Sequence, residues 1–119
     1  MTQTVGAFPD DVDVEVYAGE PVDFTLPVLD ANNVEHSVAG WTGIAQVRRY
    51  PGGPLLHTWT LELGADGVTV SATPTQTAAF VGWGSHVARW DLWLTEPDQD
   101  PRPLCAGRVL VRSRISEVP

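Results

Sequence analysis

The chain has 119 residues, enough for one domain with a core of its own. Its formal charge is −8 and its seven basic residues are all arginine, a balance that excludes the basic footprint needed to bind nucleic acid. The lone cysteine, Cys105, excludes an intramolecular disulfide, and its neighbours Leu104 and Ala106 predict a buried, inert thiol.

Residues 1–10 read as an N-terminal arm anchored by Phe8–Pro9. With neither a basic n-region nor an apolar h-region, no Sec-type signal peptide is expected. No apolar run approaches the length of a bilayer, so no membrane partner is expected. From Asp11 to Tyr17 valines alternate with acids, the pattern of a half-buried edge strand whose outward charges blunt the edge. After a turn at Ala18–Pro21, Val22, Phe24, Leu26 and Val28 form the inward face of a second strand. Pro27, lacking an amide donor, marks that strand as an edge or as irregular. Asp30–Asn33 is a turn signal. The strand Trp41–Tyr50 carries Trp41, Gly43, Ala45 and Val47 on one face, where the small residues leave room for a large neighbour.

Pro51–Pro54 breaks that strand, and Leu55, His57, Trp59, Leu61 and Leu63 define the core face of the next. Gly64–Gly67 reads as a hairpin with Asp66–Gly67 as a type I′ pair. Val68, Val70 and Ala72 form a short strand ended by Pro74. Thr75–Phe80 reads as a single helical turn, with Thr75 as N-cap and Phe80 as its core contact. The tightest alternation runs from Ser85 to Thr95. It sets His86, Ala88, Trp90, Leu92 and Leu94 on one side, and Val87, Arg89, Asp91, Trp93 and Thr95 on the other. Its Trp90–Leu92–Leu94 face predicts a central strand. Asp98–Pro103 is a polar hairpin loop, and the last strand runs from Leu104 to about Ile115, with Arg108, Leu110 and Arg112 on its outer side. The pattern predicts one all-β domain over residues 11–115, with a tail at 116–119. Its seven or eight short strands and frequent turns point to an antiparallel sandwich, and spacing leaves a closed barrel open as the alternative.

No constellation in the sequence announces a chemistry. His36, His57 and His86 lie in separate segments without metal-ligand spacing, so neither a metal nor a cofactor is expected. Ser85, His86 and Asp91 supply triad residue types, but neighbours on a strand point to opposite faces and no GxSxG elbow is present, so no catalytic residues are assigned. The acids Asp10, Asp11, Asp13 and Glu15, and the pair Asp98 and Asp100, match no EF-hand loop and read as solvated surface.

Five tryptophans stand out in a chain of this size. Trp59 and Trp90 fall on core faces. Trp93, opposite Trp90, and Trp83, in a Gly-flanked loop, are candidates for contact with a sugar ring or another protein. Arg48, Arg49 and Tyr50, together with Arg108, Arg112 and Arg114, fit the protein-interface reading, which is preferred over the glycan one.

The order of segments V-D-F-T-L-P-V, G-W-T-G-I-A-Q-V-R, G-G-P-L-L-H-T-W-T, V-T-V-S-A-T-P-T-Q-T, W-D-L-W-L and G-R-V-L-V-R covers about residues 20–115. It resembles the small Ig-like β-sandwich domains of tailed-phage virion proteins, such as the N-terminal domain of baseplate upper proteins and the LtfC-like domains of actinobacterial phages. The resemblance implies a non-enzymatic assembly part of the virion, located there after synthesis in the host cytoplasm. Its partners would be other virion proteins, in a symmetric homo- or hetero-oligomeric assembly. Because the chain ends soon after its last strand, a minor tail, baseplate or adaptor protein is expected rather than a host-binding fibre, with capsid decoration as the alternative. The resemblance supplies no catalytic residues.

Overall fold

The computed structural model describes residues 10–29, 32, 34–84 and 86–112. Among these residues nine strands make two sheets. They are β1 (Asp10–Asp11), β2 (Val14–Tyr17), β3 (Val22–Leu26), β4 (Thr42–Arg48), β5 (Leu55–Thr58), β6 (Thr60–Gly64), β7 (Gly67–Ala72), β8 (Val87–Thr95) and β9 (Arg102–Arg112). The larger sheet has the order β1-β9-β8-β4-β5, with β2 following β1 along the same edge of β9. The smaller has the order β3-β7-β6. Read as B, C, C′, D, E, F and G, strands β3 to β9 reproduce the B-E-D and G-F-C-C′ sheets of an Ig-like sandwich.

Strand β8 is central in the larger sheet, and its residues alternate exposed and buried without a fault from Val87 to Leu94. Trp90, Leu92 and Leu94 enter the core together with Val47, Val68, Val70 and Val109. Aromatic edges link the two sheets. Phe24 meets Trp90 at 6.3 Å, Trp90 meets Trp59 at 6.4 Å, and Trp59 meets Phe80 at 5.8 Å, all near perpendicular. Such edge-to-face pairs add about 0.5–1.5 kcal/mol each beyond the area they bury. The small residues of β4 leave space as expected: a Cβ at Gly43 would touch Leu94 and Leu61 side chains at 3.1 and 3.2 Å.

The edge strand departs from its reading as one unbroken run. Val14 and Val16 are buried and its acids exposed as expected, but Val12, half-buried, and Asp13 interrupt it, and both halves run parallel to β9. A parallel pair needs a long connection, which here is the rest of the domain. At the break the Val12 carbonyl turns inward and accepts the Trp90 indole N–H at 2.8 Å. Gly107, the register partner of Trp90, makes this possible, since a Cβ there would lie 2.0 Å from the Val12 oxygen.

The segment 55–63 is two strands rather than one. The Trp59 amide donates to the Ala45 carbonyl at 2.9 Å, and at the next residue Thr60 pairs with Ser71 of the other sheet. A bulge opposite Val47–Arg48 also reverses the parity of β5. Leu55, expected in the core, is therefore exposed, and Leu56 packs inward in its place. Pro27 lies just beyond β3, an edge strand of its sheet, as its missing donor requires.

Two local details also differ. The β6–β7 loop is Ala65–Asp66, because Gly64 pairs with Gly67. Gly67 has φ 120° and presses on the Leu26 carbonyl, so glycine is demanded there by strand contact rather than by a type I′ turn. Helix α1 (Pro74–Ala78) is capped by Thr73, not Thr75. Thr73 and Gln76 exchange hydrogen bonds in a capping box, and Pro74 takes the first helical position. A 3₁₀ turn over Ala79–Trp83 follows, with Phe80 buried as expected. The turn read at Asp30–Asn33, apart from Asn32, lies outside the described residues, as do residues 1–9 and 113–119.

Candidate functional site

The outer face of the larger sheet is built by register. Because β4, β8 and β9 alternate, three rows of side chains cross the sheet and point away from the core. The first row is Arg48, Arg89 and Arg108, each the direct cross-strand partner of the next. The second is Gln46, Asp91 and Ala106, and the third pairs Ile44 with Trp93. The short middle row leaves a depression of about 340 Å³, with arginines along one side and the apolar pair along the other. Pro51 and Gly52 of the β4–β5 loop close one end.

The arginine row is partly neutralised. Arg108 pairs with Asp13 at 2.8 Å, and its amide donates to the other oxygen of that carboxylate at 3.0 Å. These bonds hold the Asp13 carboxyl below its ordinary value of 3.8. Arg48 donates to the Gly53 carbonyl at 2.9 Å and to Gln46 Oε1 at 3.2 Å. Between them the Arg89 side chain makes no hydrogen bond or ion pair among the described residues, although its charge helps to hold the Asp13 carboxyl down. Like charges directly opposite on a sheet repel, and Asp13 relieves that repulsion at the Arg108 end of the row. Trp93, 38% exposed, donates its indole N–H to Asp91 Oδ2 at 3.2 Å, and Ile44 opposite it is also exposed.

Of the residues singled out in the sequence, Trp93, Arg48 and Arg108 come together on this face. Arg112 projects on the same side of β9 but at the sheet edge, in an ion pair of 2.6 Å with Glu15. Tyr50 is exposed in the β4–β5 loop. Arg49 turns away and donates to the Trp83 carbonyl at the end of the 3₁₀ turn. Arg114 lies outside the described residues. Trp83 is a correction: it is 8% exposed and stacks on Phe80 with ring centres 4.2 Å apart, so it offers no surface to a partner. Hydrophobic stacking overrode the flanking glycines. Arg89, Asp91, Gln46 and Ile44 were not among the residues read as an interface. For Arg89 and Asp91 the signal was their alternation with Trp93, whereas Gln46 and Ile44 needed the β4–β8 register.

The remaining polar candidates do not converge. Among the described residues no group of three or more His, Cys, Asp and Glu could hold a metal ion. His57 is packed between Trp59 and Phe80, His36 lies against Trp41, and His86 is exposed. Cys105 is buried. No helix among the described residues is long and apolar enough to cross a membrane. No protein-family model matches the chain, and no curated protein matches it closely enough in sequence to count as a relative.

Proposed function

We propose that this protein is a non-enzymatic assembly component of a tailed-phage virion, in the tail, baseplate or an adaptor, acting by protein–protein contact through the outer face of its larger sheet. The observation that carries the reading is the row Arg48–Arg89–Arg108 beside exposed Trp93 and Ile44. Arginine and tryptophan are the residues that most often anchor protein interfaces, and here they form one patch on a rigid sheet. The order of sequence segments, similar to phage virion sandwich domains, supplies the setting. The glycan reading relied on two tryptophans, and the burial of Trp83 leaves Trp93 alone.

Mass spectrometry of purified virions tests the proposal. The protein is expected at a fixed copy number relative to the structural proteins. Its absence from particles of a phage that expresses it removes the reading.

A further inference from the structure

Two surfaces of this molecule carry complementary chemistry. The first is the arginine row with Trp93 and Ile44. The second is a groove of about 310 Å³ where β2 and β3, edges of the two sheets, lie side by side without pairing. Val14, Val22 and Phe24 form its apolar lining, and Asp13, Glu15 and Asp23 its rim. Asp13 and Glu15 are each held by an arginine of β9, whereas the exposed Asp23 carboxylate makes no hydrogen bond or ion pair among the described residues. One surface thus offers a cation in no ion pair among the described residues, beside exposed apolar groups, and the other a carboxylate in none, beside an apolar groove.

We infer that the outer face of the larger sheet docks onto the β2–β3 groove of a second copy of this chain, with Arg89 of one copy meeting Asp23 of the next. A contact between two identical outer faces offers Arg89 only Asp91, which already accepts the Trp93 indole N–H. The overall charge of −8 also opposes random self-association, so copies approach favourably only when the cationic row meets the acidic rim. The contact joins unlike surfaces, so it repeats from copy to copy until the symmetry closes. The inference deepens the assembly reading by naming a partner for the same face. Its test in solution stands apart from virion proteomics: a monomer in solution can still be a virion protein.

Sedimentation of the full chain over a concentration series is the experiment, with thermal melts showing that each variant folds. The wild type is expected to associate, and more weakly at high salt. Arg89→Glu and Asp23→Arg are each expected to weaken association by about tenfold or more, and the double variant, which restores opposite charges across every contact, to recover most of it. A wild type that stays monomeric at all concentrations overturns the proposal. So does association that Asp23→Arg leaves unchanged, or a double variant no better than the single ones.

Discussion

At the scale of single residues, the tryptophans separate into structural and surface members although composition treats them alike. Trp59, Trp83 and Trp90 are buried, Trp41 is half-buried and Trp93 is exposed. Truncating a buried aromatic loses its transfer free energy and leaves a cavity, so Trp83→Ala should cost about 3–5 kcal/mol in urea denaturation. Trp93→Ala loses one exposed hydrogen bond and should stay within about 0.5 kcal/mol of the wild type. Equal losses for the two would contradict these placements. Trp93 was legible in the sequence because a strand's alternation states which way a side chain points. Trp83 was not, because a residue in an irregular segment has no period, and its burial depends on where Phe80 comes to rest.

At the scale of elements, α1 shows how a short helix is tied to distant chain. Thr77 is fully buried; its hydroxyl donates to the Glu20 carbonyl at 2.7 Å and accepts from the Gly19 amide at 3.0 Å. One side chain thereby fixes the helix to the turn between β2 and β3. Thr77→Val keeps the shape and removes both bonds, and should cost about 1–3 kcal/mol. Hydrogen exchange at the Gly19 amide should speed up in that variant, a local sign that general destabilisation alone would not single out. The helical turn itself was legible from Pro74, Gln76 and Phe80, but its cap was misplaced by two residues. Thr73 and Thr75 are the same residue type, and only the capping geometry chooses between them.

At the scale of the whole molecule, the point where β5 leaves one sheet and β6 joins the other carries a pH dependence. His57 is packed edge-on against Trp59 and Phe80, and its Nε2 has no hydrogen-bond partner. Burial pushes its pKa below the ordinary 6.5, because the charged ring loses solvation. The unfolded chain therefore takes up a proton near pH 6.5 that the folded chain resists. The stability associated with this group is fully present above that pH and is lost as pH falls below it, towards the lowered folded value. Melting temperatures between about pH 7.5 and 5 should fall more steeply for the wild type than for His57→Leu, whose side chain does not titrate. Parallel slopes would mean that His57 is solvated in the folded state.

Much of the architecture is written in local pattern. Period-two alternation determined the strands, their inward faces and the all-β class, because a pleated strand converts parity directly into direction. The same parity put Trp93, Arg89 and Asp91 together, and so located the face that the proposed contacts use. Tertiary structure alone decided three things. It split residues 55–63 between two sheets, since a bulge opposite Val47–Arg48 and the crossover at Trp59 answer to partners far away in sequence. It ran the edge strand parallel to β9 and broke it where the Trp90 indole claims the Val12 carbonyl over Gly107. It also aligned Arg48, Arg89 and Arg108 in one row, because register between strands depends on long-range pairing that no single strand's alternation contains.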